Sequence, residues 1–171
     1  MMPTTSFRLL HDAGACKERY RFLAKTLGGI EKYGRDTPIT LLQILNINGL
    51  EDALWAVKTC PDSEKFVRLL ACDYAEHVLH IFEAKYPDDD RPRKAIAVSR
   101  RYARGEATEA ELSAARDAAR GTKAAIGAAA GVAAYAASWA AAGVAARDAA
   151  WHAECTWQEA RLRELLERGQ E

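Results

Sequence analysis

Three residues of one segment are spaced for metal chemistry. Asp73, His77 and His80 stand at i, i+4 and i+7, with Glu76 and Glu83 close by in the chain. On a helix this spacing gathers the two imidazoles and the carboxylate on one side. Two His and one carboxylate, with positions left open, would suit a transition metal. His152-x-x-Cys155 would add ligands from a second helix. Together these residues describe a metal-dependent enzyme built in a helical bundle. The competing reading is the solvated or interfacial face of a helix. The absence of any HExxH or EExxH pattern favours it.

A second group is suited to gripping a protein. The run Tyr86-Pro-Asp-Asp-Asp-Arg-Pro-Arg-Lys-Ala-Ile96 joins two helical segments, and Arg100, Arg101 and Arg104 follow it. Turns display side chains to solvent, and arginine can hold a carboxylate through two parallel hydrogen bonds. Asp89, Asp90, Arg91 and Arg93 are therefore the candidate protein interface. A structural reading stays open beside it. Asp89 or Asp90 would cap the helix, and Arg91 or Arg93 would tie the turn to an acidic helix at Asp117 or Asp148. No GxSxG, P-loop or GxGxxG occurs, and Ser6, Ser63, Ser99, Ser113 and Ser138 lack an activating neighbourhood. No catalytic residue, resident metal or cofactor is expected.

Helices must position these groups. Cys16 to Leu27 reads as the first, stopped by Gly28-Gly29. Thr37-Pro38 reads as a start for a helix over Ile39 to Leu45, because threonine caps and proline is tolerated at the first helical position. Helix resumes from Leu50 to Thr59, and Cys60-Pro61-Asp62-Ser63 breaks it. Glu64 to Lys85 is the best core helix, with Val67, Leu70, Ala71, Tyr74, Ala75, Val78, Ile81 and Phe82 along an apolar arc. Pro87 ends it. The acidic Asp88 to Asp90 opens a helix that runs to about Arg104 and stops at Gly105, since carboxylates there meet free amides and the positive helix end. Thr108-x-x-Glu111 is a capping box. No stretch alternates long enough to predict a strand.

Residues 107–153 contain 23 alanines in 47 positions, and alanine is the best helix former. One straight helix from there to Arg168 would span roughly 90 Å, so a break is expected at Gly121, Gly127, Gly131 or Gly143. Ala124 to Ala146 carries no charge, which is long enough for a membrane span. It is poor in Leu, Ile, Phe and Val, the residues that drive insertion, so a buried helix with Tyr135 and Trp139 in the core is expected instead.

The chain has 171 residues, with Lys+Arg and Asp+Glu at 24 each. That balance gives no broad basic footprint for nucleic acid. Four scattered cysteines without a CxxC pair, and an N-terminus lacking a signal pattern, point to a cytoplasmic protein with free thiols. The cysteines are expected to be buried and structural.

The segment Phe82 to Ile96 resembles the central signature of immunity proteins of the Imm-5-like type. So do Gly14-Ala-Cys16, the run Arg101-Tyr-Ala-Arg-Gly-Glu-Ala-Thr108, the alanine helices with interspersed Arg, Asp and Trp, and the ending Trp157 to Leu166. Here Ala124 to Ala146 departs from the family habit by lacking charges. The resemblance implies a helical protein of bacterial or phage origin that neutralises a protein toxin.

The expectation is an all-α protein, a single compact domain of seven to nine helices. Short helices would occupy residues 1–62, a core helix pair 63–105, and alanine-rich helices 106–171. Its function would be non-enzymatic inhibition of a toxin or effector by occlusion. A phage-encoded inhibitor of a bacterial defence system, of the anti-CRISPR kind, is the alternative within the same class.

Overall fold

The computed structural model describes residues 3–120 and 144–168. Among them are nine α-helices and one two-stranded ribbon, so the protein is predominantly helical. The chain divides into two compact units, residues 1–63 with 159–171, and residues 64–158.

The first unit begins with the ribbon. β1 (Thr4–Thr5) pairs antiparallel with β2 (Ile39–Thr40), Thr4 opposite Thr40 and Thr5 opposite Ile39. No alternation in sequence announces strands this short. They form because backbone pairing fixes the N-terminus, and the buried Thr5 hydroxyl meets the Thr59 hydroxyl at 2.6 Å. The ribbon also moves a helix start. Thr37-Pro38 leads into β2 rather than a helix, and α4 (Leu41–Asn48) begins two residues later than expected. Its cap is Thr40, in a reciprocal box with Gln43: the Gln43 amide donates to Thr40 Oγ1 at 3.1 Å, and the Thr40 amide donates to Gln43 Oε1 at 2.8 Å.

A helix absent from the sequence reading, α1 (Phe7–Asp12), precedes α2 (Lys17–Thr26). Ser6 caps α1 through the Leu9 amide. Phe7 is fully buried, with Tyr20 and Tyr33 edge-on to its ring at 5.5 and 5.7 Å. This geometry is the favoured one for aromatic pairs. The short α3 (Ile30–Tyr33) ends at Gly34. Gly34 has φ 101°, and a Cβ there would sit 2.3 Å from Thr37 Oγ1, so only glycine fits. α5 (Leu50–Ala56) ends in a single 3-10 turn over Val57–Thr59, shorter than the continuous helix expected there. Ser63 donates to the Cys60 and Val57 carbonyls and closes the break. The last residues contribute Leu162 and Leu166, both fully buried, and Arg163 hydrogen-bonds Asn46.

The second unit is built on α6 (Glu64–Lys85), as the sequence predicts, followed by α7 (Arg91–Ala103) and α8 (Glu109–Arg120). α7 packs against both α6 and α8. Cys72, Leu79 and Ile96 form a buried cluster with Ala75 against it. The buried face of α6 is rotated from the predicted arc. Leu70, Tyr74 and Phe82 are buried as expected, but Val67 and Ala71 are exposed, and Cys72, Asp73 and Leu79 are buried instead. Thr108 and Glu111 form the predicted capping box of α8, with the Glu111 amide 3.2 Å from Thr108 Oγ1.

The final helix, α9 (Val144–Arg168), places Gln158 at the end of the second unit and Glu159 in the first. Its i, i+4 pairs Glu159–Arg163 and Glu164–Arg168 are present at 3.1 and 2.6 Å. Tyr135, Trp139, the four candidate glycine breaks and most of the uncharged segment lie outside the described residues. Among the described residues no helix is long and apolar enough to cross a membrane.

Candidate functional site

The turn between α6 and α7 is shaped by its backbone. The Tyr86 amide donates to the Phe82 carbonyl at 2.9 Å and the Asp89 amide to the Tyr86 carbonyl at 3.1 Å. Pro92 falls in the first turn of α7, where its missing N–H costs no helical bond, and its ring is buried. Asp90 is the residue at the cap position, but its side chain does not cap. Asp89 takes that work, accepting the Arg91 amide at 3.2 Å. Asp90 instead pairs with Lys94 one turn on, at 2.8 Å.

Both arginines of the turn are held by two parallel bonds. Arg91 binds Asp89 at 2.8 and 2.7 Å, and Arg93 binds Glu83 at 2.7 Å through each nitrogen. Their described partners are the adjacent aspartate and the last turn of α6. Asp148 has no described side chain. Sequence reasoning placed Glu83 near the histidines and missed its pairing with Arg93. The available signal was topological: a tight turn after Lys85 sets the last turn of α6 beside the first turn of α7. Hydrogen bonding from Arg93 lowers the Glu83 pKa below the usual glutamate value, and hydrogen bonding from Arg91 does the same for Asp89.

This has a measurable consequence. A carboxyl whose folded pKa is depressed contributes stability above its unfolded pKa and loses it as pH falls through the folded value. The Glu83 carboxylate is expected to titrate below ordinary glutamates in a carbon-detected NMR titration. In Arg93→Ala its midpoint should rise to the usual range. An unchanged midpoint would show that the guanidinium is not the cause.

Farther along α7, Arg100 bridges two carboxylates of α6, Asp73 at 2.7 Å and Glu76 at 2.5 Å. Asp73 is buried and Arg100 mostly so. Arg101 reaches Glu111 and the Glu106 carbonyl. The basic face of α7 is thus met largely by acidic groups of its own unit.

The histidine group is dispersed among different partners. Asp73, placed on a polar face by the sequence reading, is buried against Arg100. His77 stacks on Trp157 with ring centroids 3.6 Å apart and planes 4° from parallel, and its Nε2 lies 3.2 Å from Glu154 Oε2. Glu154 is buried and also accepts from Gln158 at 2.9 Å. His80 is exposed, its Nδ1 near the His77 carbonyl at 2.9 Å. His152 is exposed and Cys155 half-buried. Among the described residues no three His, Cys, Asp or Glu side chains are grouped to hold a metal. The sequence reading joined neither Trp157 nor Glu154 to His77, because only packing brings α9 there. Tyr74 lies in the same region, its hydroxyl donating to the Gln158 carbonyl at 2.9 Å. Burial, reinforced by Glu154, raises its pKa.

The two buried thiols, Cys60 and Cys72, are poor nucleophiles. Burial pushes the Cys60 thiol up to about 12 and raises that of Cys72. Cys16 is exposed rather than buried, against expectation.

The chain matches the model of the Imm-5 like putative immunity protein family over residues 58–166. That stretch contains α6, the turn, α7, α8 and α9 as far as Leu166. No curated protein and no solved structure matches the chain.

Proposed function

From the premise that this chain belongs to the Imm-5-like immunity family, we propose that it is a non-enzymatic inhibitor that binds a protein toxin or effector and covers its working surface. The family match carries the reading. The candidate contact is the α6–α7 turn, which lies within the matched residues. Asp90, Arg91, Arg93 and Lys94 are well exposed there. Their internal pairs hold each guanidinium in one orientation, which lowers the ordering cost of binding. A partner carboxylate would meet the arginine N–H groups that these pairs leave unused, and a partner cation would meet Asp90. Charged pairs at such a rim govern encounter rate and partner choice more than total affinity. The four cysteines are free, and we place the action of the protein in the reducing cytoplasm.

Purified protein used as bait in extract of the source cell is expected to retain a partner at micromolar concentration. Arg91→Ala and Arg93→Ala should weaken that binding while the melting temperature holds. Retention of no partner, together with turnover of a small molecule, would overturn the reading. If both variants melt well below the parent, the turn is structural and the contact lies elsewhere.

A further inference from the structure

The outer face of α2 carries side chains that the first unit does not use. Leu23 and Ala24 are buried, and Tyr20 and Leu27 are half-buried, so that side of the helix packs inward. On the opposite side, at i, i+3, i+4 and i+7, stand Glu18, Arg21, Phe22 and Lys25, all exposed. Phe22 lies in the middle of this face and is 51% exposed, more than Val67 or Trp151.

The charges on this face run against helix stability. Lys17, Arg21 and Lys25 repeat at i, i+4 and i+8, and like charges at that spacing repel along a helix. Lys17 is also the first residue of α2, at the positive end of the helix dipole, where a cation is disfavoured. Lys25 alone gains from the dipole, in the last turn. Among the described residues no ion pair relieves these three cations, whereas Arg19 on the flank has Asp52 at 3.8 Å. Carboxylates of neighbouring elements serve other groups: Asp12 meets His11, Asp36 meets Arg8, and Asp52 meets Asn48. Residues 17–35 contain six Lys and Arg against Glu18 and Glu31, in a chain of zero net charge. Local rules broken without internal compensation are expected where a surface has a function.

We infer that this face of α2 docks on an acidic, partly apolar surface of the protein partner; that the partner is a protein rests on the inhibitor reading above. Charge complementarity selects this occupant. Lys17, Arg21 and Lys25 would face partner carboxylates, and the guanidinium can hold one through two parallel bonds. Phe22 would enter an apolar socket, as an aromatic anchor ringed by polar contacts does at protein interfaces. Glu18 decides against a phosphate backbone or an anionic bilayer. It sets a negative charge inside the same face, which a row of phosphates would repel and a protein can answer with one cation. The stripe from Lys17 to Lys25 also spans only about 12 Å, short for the basic track that nucleic acid needs. α2 precedes the residues that match the family model, so this contact is separate in the chain from the α6–α7 turn.

The test is an NMR titration of the full chain with an acetylated helical peptide that alternates pairs of glutamate and leucine. Controls are the same peptide with glutamine for glutamate, a short DNA duplex, and vesicles of phosphatidylcholine with phosphatidylserine. Saturable shifts at the backbone amides of α2 are expected for the acidic peptide, weakening as salt rises. Phe22→Ser should weaken the peptide roughly tenfold, and Arg21→Gln roughly fivefold. Both variants should keep the melting temperature, because neither side chain supports the fold. Absence of saturable shifts on α2, equal binding of the glutamine peptide, or tighter binding of duplex or vesicles would each overturn the inference. So would unchanged binding by both variants, or a melting temperature several degrees lower in either. Failure of partner capture bears only on the inhibitor reading, since the titration needs no partner.

Discussion

Leu70→Asp is expected to abolish cooperative folding of the second unit. Leu70 is 4% exposed on α6, and a carboxylate there would be cut off from water with no partner designed for it. Burying an unpaired charge costs several kcal/mol even after the group protonates or water enters. Against a typical total stability of about 5–15 kcal/mol, that is enough to depopulate the native state. Val67→Asp is the matched control. It lies three residues earlier on the same helix, but Val67 is 37% exposed. Its effect should stay within about 0.5 kcal/mol, as for most surface changes. Urea unfolding followed by circular dichroism separates the two. A Leu70→Asp midpoint close to that of Val67→Asp would mean that the assigned core face of α6 is wrong.

Arg100→Met should produce the next largest loss. Its guanidinium lies 2.7 Å from Asp73, whose side chain is 8% exposed, and Arg100 itself is 24% exposed. Removing one member of a buried pair strands the other charge, which typically costs about 3–5 kcal/mol. The partial exposure of Arg100 puts the expected loss near 3 kcal/mol on that scale. Asp73→Asn combined with Arg100→Met should recover part of it, because the stranded charge is then gone. Denaturant titrations of the parent, both single variants and the double variant complete the cycle. Additive losses would show that Asp73 and Arg100 do not act as a pair, and the role of Asp73 as an internal counter-ion would fall.

The fold class was legible from the chain because its signals are local. α6 ends where Pro87 forbids continuation, α7 opens behind an aspartate run, and the box at Thr108 and Glu111 needs only four residues to form. The 22-residue α6 was read with its observed bounds. The ribbon was not legible, because two-residue strands have no periodicity and exist only through pairing between segments far apart in the chain. That pairing displaced the expected helix start from Ile39 to Leu41 and exchanged one cap for another. α1 escaped for a related reason: a helix of six residues is too short to show a period and is stabilised chiefly by packing Phe7 beneath two tyrosines.

The candidate sites divide along the same line. Sequence alone determined that Asp89, Asp90, Arg91 and Arg93 sit in a turn at the head of a helix, because proline and the aspartate run act on their immediate neighbours. It determined the spacing of Asp73, His77 and His80 on one helix as well. Tertiary packing alone decided what these side chains meet. The rotation of α6 about its axis buried Asp73 against Arg100, and α9 brought Trp157 and Glu154 to His77. The spread of positions on a helix face is a property of the chain, but the identity of the opposing face depends on how whole helices pack. That choice is made by burial summed over many residues, and no single motif encodes it.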